Sequence, residues 1–175
     1  MSVWPEDDLN ALDIWVVVED TTNKKDEEWY INTNQSYAFA DNKVTATYGT
    51  ATAKKHADTL YTQEDEDNGL GTKDDVKVEG LKTKLIRTVK SQAAGILQDT
   101  DWYIVRKADA GTAVPSAITT FRAAVRTKAA AMETAITNAS DTPAIETLYT
   151  YVNTADEGDP VVMERPLGEF PVLGS

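Results

Sequence analysis

The sequence predicts an α+β fold: a small antiparallel β-meander, then a helical hairpin with a short third helix, then an extended Pro-spaced C-terminal arm. Short β-branched and aromatic runs bounded by turn residues crowd into the first 62 positions, whereas apolar residues at i, i+3 and i+4 dominate from Val78 onward. Charge changes with them. Residues 1–75 carry 6 Lys and Arg against 17 Asp and Glu, residues 76–153 carry 10 against 7, and residues 154–175 carry 1 against 5. A mildly basic middle thus lies between an acidic first part and an acidic tail.

In the first part, Ile14-Trp15-Val16-Val17-Val18 is a continuous β-forming run, and Trp29-Tyr30-Ile31 is a second after the polar stretch 21–28. Tyr37-Ala38-Phe39 and Val44-Thr45-Ala46-Thr47-Tyr48 alternate about Asp41-Asn42, a plausible hairpin turn. Three or four short strands with one apolar face need a lid, from the later helices or from a neighbouring chain. The first helix is predicted from Val78, with Leu81, Leu85, Val89 and Ala93 on one stripe and Lys82, Lys84, Arg87 and Lys90 elsewhere. Residues 99–105 read as an extended segment that wedges between helices. The second helix is expected to start at Pro115-Ser116 and to keep Ile118, Phe121, Val125, Met132 and Ile136 near one stripe. Thr142 is the expected N-cap of the third, with Pro143 at its first position. Pro160, Pro166 and Pro171 then prevent a regular helix or central strand, so the tail reads as an arm bearing apolar anchors.

These readings divide the chain into an antiparallel β unit at 1–62, an acidic linker at 63–77, an α-helical docking module at 78–153 and the extended arm at 154–175. The arm supplies no periodic core positions, so truncation after Thr154 is expected to leave the rest folded.

Composition mainly excludes. The 175 residues contain no cysteine and one histidine, which removes thiol nucleophiles, disulfides, Cys- or Cys/His-type zinc sites and most imidazole relays. The net charge of −12 argues against a nucleic-acid partner, because a phosphate backbone is bound by neutralising it. No apolar run approaches the roughly 20 residues needed to span a bilayer, so no membrane partner is expected. The first 12 residues, with Trp4, Pro5, Glu6, Asp7 and Asp8, have neither the basic nor the apolar region of a signal peptide.

Residues 63–75 are the most chemical-looking stretch. Glu64, Glu66, Asn68, Gly69 and Asp75 fall in the register of a calcium loop, but such a loop opens with Asp and closes with Glu, and here those identities are reversed. A solvated acidic linker is the reading favoured. His56, between Lys55 and Ala57-Asp58, reads as a surface histidine, since no nucleophile elbow accompanies it. Gly69-Leu70-Gly71 lacks the strand–turn–helix setting of a phosphate loop. No catalytic residue, cofactor or metal is therefore expected. The residues singled out are interaction and bracing candidates. Arg122 and Arg126, four apart on one helix, are placed to grip Asp99 or Asp101, within the chain in preference to between chains. Trp102 packs between helices by default, Phe121 helps to fix the hairpin, and Val161, Met163, Phe170 and Leu173 are the anchors of the arm.

The run Gly95-Ile96-Leu97-Gln98-Asp99-Thr100-Asp101-Trp102, followed by Arg106, Gly111, Pro115, Phe121-Arg122 and Val125-Arg126, resembles a module found towards the C-terminus of many tailed-bacteriophage tail proteins. These include tail-fibre assembly proteins and virion-associated tail proteins. The resemblance spans about residues 81–137 and its order and spacing are fairly specific. It implies a phage-tail context in which the module docks or orients polypeptides, and no reaction.

The leading functional expectation is a structural, non-enzymatic component of a tailed-phage virion, at the tail, baseplate or fibre-attachment region. It would be assembled in the host cytoplasm, with other tail proteins and copies of itself as partners. A non-virion tail-fibre assembly chaperone is the alternative. A glycan-binding module on the tail is the third, and it would need Trp15, Trp29 or Tyr37 exposed on one face, whereas strand alternation suggests that at least half of these are buried.

Overall fold

The structure, a computed structural model, describes residues 4–33 and 35–174. Met1, Ser2, Val3 and Asn34 of the expected β unit and Ser175 of the expected arm lie outside the described residues. The chain is α+β, with most of the strands before the four consecutive helices that follow Gly80. It divides into two units between Lys54 and Lys55.

The first unit contains α1 (Glu6–Asn10), β1 (Val17–Asp20), β2 (Tyr30–Ile31), β3 (Ser36–Ala40), β4 (Lys43–Thr47) and β5 (Thr52–Ala53). The hairpin β3–β4 forms where alternation and the Asp41-Asn42 turn predict it. Both turn residues have positive φ, 51° and 58°, as a primed two-residue turn requires. The rest is not a meander. Strand β1 pairs with β4 in parallel, giving a three-stranded mixed sheet in the order β1-β4-β3. Strand β2 leaves that sheet and pairs antiparallel with β5. Trp29 and Tyr30 are buried, and the run expected as a second meander strand pairs outside the three-stranded sheet.

The second unit opens with β6 (Thr59–Leu60), α2 (Gln63–Asp67) and β7 (Val76–Val78), with β6 and β7 antiparallel. Residues 63–77 are therefore solvent-exposed but not an irregular linker, since they hold a helix and a paired strand. Thr62 and Asp65 form a reciprocal capping box at the start of α2, and Lys77 Nζ lies 2.7 Å from Asp65 Oδ1, tying the helix to β7. Glu64 and Glu66 are on this helix, not in a cation loop. Among the described residues no group of three or more His, Cys, Asp or Glu is placed to hold a metal ion.

Helices α3 (Leu81–Gln98), α4 (Asp101–Ala110), α5 (Ser116–Asn138) and α6 (Thr142–Tyr149) follow, then the short antiparallel pair β8 (Val152–Asn153) and β9 (Met163–Glu164). The N-terminus of α3 is capped by a distant segment. Gly80 N donates to Asp58 Oδ1 at 2.6 Å, Leu81 N to the Lys55 carbonyl and Lys82 N to the His56 carbonyl, both at 3.0 Å. A Cβ at residue 80 would lie 2.4 Å from the Ala57 carbonyl carbon, which is why glycine stands there. The cap of α6 is one residue earlier than predicted: Asp141 accepts from Ala144 N at 2.8 Å, and Pro143 follows in the first turn.

The core is the α3–α5 interface. Val89 and Ala93 of α3 meet Val125, Ala129, Met132 and Ile136 of α5, with Leu85, Phe121 and Leu148 packed at its margin. One further core residue comes from the expected arm. Leu167 is 4 % exposed, belongs to this cluster, and donates its N–H to the Leu148 carbonyl at 3.0 Å. Gly168, at φ 70°, turns the chain immediately afterwards. The segment after β9 is thus a strap that completes the core, not a free arm.

Candidate docking site

Residues 101–105 are helical and residues 99–100 form a turn, where an extended segment was expected over 99–105. Asp99 ends α3, Thr100 interrupts the helix, and α4 begins at Asp101 and stops at Gly111, which takes the left-handed conformation at φ 68°. The β-branched and aromatic residues here lack a period-2 pattern, so the helix-favouring acid in the first turn and the Gly stop outweigh intrinsic strand preference.

The corner between α3 and α4 is built around Arg122. Its Nη1 donates to the Leu97 carbonyl at 2.8 Å and to Thr100 Oγ1 at 2.6 Å, and lies 2.8 Å from Asp101 Oδ1. The Thr100 hydroxyl also donates to the Leu97 carbonyl, at 2.9 Å. Arg122 is 8 % exposed and Thr100 is buried, so this is an interior bond set with one acid at its rim. The electrostatics are consistent at both helix ends. A guanidinium meets the carbonyl end of α3, and a carboxylate occupies the first turn of α4.

The expected grip therefore forms through Arg122 and Asp101. Asp99 and Arg126 do not join it: Asp99 is exposed at the end of α3, and Arg126 is exposed and lines a cavity of about 170 Å³ with Ile104, Val114 and Thr119. Phe121 is half-buried against the core. Trp102 is not wedged between helices. It is 51 % exposed, stacks on Tyr103 with ring centroids 3.8 Å apart, and carries the Arg106 guanidinium 4.7 Å above it. Helix α4 buries none of its residues, and Ile104 and Val105 are exposed beside Trp102.

Of the arm anchors, Phe170 packs against the core, while Val161, Met163 and Leu173 are exposed. The strap is also pinned by charge. Arg165 pairs with Glu169 and lies over the rings of Tyr149 and Tyr151, and Tyr151 donates its hydroxyl to Glu169. Sequence reasoning missed Thr100 and Leu167. A signal existed for the buried character of Arg122: it lies four residues after Ile118 and three before Val125, so it falls on the stripe that Ala129, Met132 and Ile136 continue.

In the first unit, Trp29 is buried, Trp15 is half-buried and Tyr37 is exposed. Trp15 meets Phe39 edge-on at 63°, so these rings do not form a flat platform of the kind a sugar face stacks on.

Protein-family models, curated proteins and solved structures contain no match to this chain. Among the described residues no helix is long and apolar enough to cross a membrane.

Proposed function

We propose that the chain is a structural component of a tailed-phage virion, placed in the tail, baseplate or fibre-attachment region and acting through protein–protein contacts. One observation carries the reading. The residues that give the resemblance to phage-tail modules have separable physical jobs: Thr100, Asp101 and Arg122 lock a corner, Gly111 and Pro115 end one helix and start the next, and Phe121 meets the core. What the corner displays is α4, with Trp102, Ile104 and Val105 outside any core of the second unit. A rigid corner that presents an unburied aromatic-aliphatic helix suits docking, since binding then orders few side chains.

In this account the partners are other tail proteins and copies of the chain, the location is the assembled tail, and no reaction is catalysed. Mass spectrometry of purified particles tests it. Peptides of this chain in salt-washed virions are the expected result. Their absence from particles, with co-purification of the soluble chain and a fibre protein, would replace the reading by that of an assembly chaperone.

A further inference from the structure

The three-stranded sheet of the first unit has two edges, and they are not alike. The outer edge of β1 ends in Glu19-Asp20, the kind of charged edge that resists pairing with another chain. The outer edge of β3 is Ser36-Tyr37-Ala38-Phe39-Ala40, five exposed residues with no charge, no proline and no glycine. Among the described residues no strand pairs with it.

The hairpin fixes which groups that edge offers. With a two-residue turn, the closing pair Ala40 and Lys43 bonds inward, as do Ala38 and Ser36 two and four residues back; the main-chain groups of Tyr37 and Phe39 then point away from β4. A second copy related by a two-fold axis normal to the sheet must meet this edge antiparallel. Centring the axis on Ala38 pairs all five residues, and it sets Tyr37 of each copy directly opposite Phe39 of the other. Those are the two residues whose N–H and C=O groups face outward, so both pairs can exchange both bonds. The side chains agree with the main chain. Tyr37 and Phe39 share one face of the sheet with Val17, Val44 and Ala46, with Glu19 on that face only at the far edge, so the aromatic pairs would join the apolar centres of the two faces into one.

We infer that the chain self-associates through β3, forming a continuous six-stranded sheet in the order β1-β4-β3-β3-β4-β1. The acidic ends of the two β1 strands then lie on both outer edges. This closes the assembly at two copies in place of an open filament. Residues 1–54 carry 10 acids against 4 lysines, but those acids lie outside Ser36–Ala40, so the self-repulsion is kept away from the joint. A different protein adding a strand to the same edge is the competing outcome, and the test separates the two.

The absence of native cysteine makes trapping clean. In the full chain, Ala38→Cys places a thiol on the two-fold axis, in a non-hydrogen-bonded pair whose Cα separation of about 4.5 Å suits a disulfide. Val18→Cys is the control, on the same face and in the same cross-strand row but at the other edge. The expected results are a sedimenting species of twice the 19.2 kDa chain mass, near-complete cross-linking of Ala38→Cys under mild oxidation, and little cross-linking of Val18→Cys. Tyr37→Pro, which removes an outward N–H and no bond to β4, should return the protein to monomer with its circular dichroism retained. A purified chain that stays monomeric at high concentration overturns the inference in favour of a foreign strand or none. So does cross-linking of Val18→Cys equal to that of Ala38→Cys, or a Tyr37→Pro variant that is folded and still dimeric. Should Tyr37→Pro unfold, the cysteine pair decides alone.

Discussion

The Arg122 guanidinium on α5 donates to the Thr100 hydroxyl at 2.6 Å, and both side chains are buried. A charged residue on the core stripe of a helix therefore sets the geometry of a corner between two others. Replacing it leaves the Thr100 hydroxyl oxygen without its donor and takes the charged donor from the Leu97 carbonyl, which keeps its bonds from the Thr100 hydroxyl and N–H.

Arg122→Ala should lower the unfolding free energy by about 3 kcal/mol, because interior acceptors lose a charged donor and a packed side chain is removed together. Thr100→Val should cost about 1–2 kcal/mol, and Asp101→Asn, whose carboxylate is half exposed, under about 1 kcal/mol. Urea unfolding of the single variants, and of the Arg122→Ala, Thr100→Val double variant, measures the coupling. A coupling near zero would show that the two side chains act separately.

The strap makes an opposite prediction to the one the Pro spacing suggests. Leu167→Ala should cost about 2–5 kcal/mol, the range for emptying a buried leucine site. Truncation after Thr154 removes both Leu167 and Phe170, and the loss of helical circular dichroism on truncation is the expected result.

Acid should loosen the start of the second unit. Bonds from Lys77 and Thr62 hold the Asp65 carboxyl down at about 2, below its ordinary 3.8, and bonds from Gly80 N and Thr83 hold Asp58 below its ordinary value as well. A depressed carboxylate contributes stability that is complete above the ordinary value and is lost as pH falls towards the folded one. Thermal midpoints of the wild type should therefore drop between pH 3.8 and about 2. Asp65→Asn should flatten that drop while lowering the midpoint at neutral pH.

Trp102→Ala should leave stability within about 0.5 kcal/mol of the wild type, since the ring is 51 % exposed and its ring contacts are with Tyr103 and Arg106 on its own helix. Thermal melts check this. A large destabilisation would place the tryptophan in a core and remove it from any docking role.

Much of the second unit was legible because two long helices carry a repeating apolar stripe, and periodicity needs only the chain itself. The β3–β4 hairpin was legible for a similar local reason, alternation about Asp41-Asn42. What was not legible depends on partners distant in sequence. Nothing within residues 14–18 says that β1 runs parallel to β4, and nothing near Trp29 says that it pairs towards residue 53. Leu167 sits among prolines and glycine without a period, so its burial follows only from the space that α3, α5 and α6 leave. In the candidate site, Arg122 with Asp101 was a matter of spacing. Thr100 was missed because residues 99–105 were read as extended, a conformation in which it could not close the corner.

The docking account is tested most directly by quantitative mass spectrometry of gradient-purified particles carrying either the wild-type chain or the Trp102→Ala, Val105→Ala variant. A fixed copy number per particle for the wild type, with the variant folded in the lysate but depleted from particles, is the predicted result. Absence of the wild-type chain from particles, or undiminished incorporation of the variant, would contradict it.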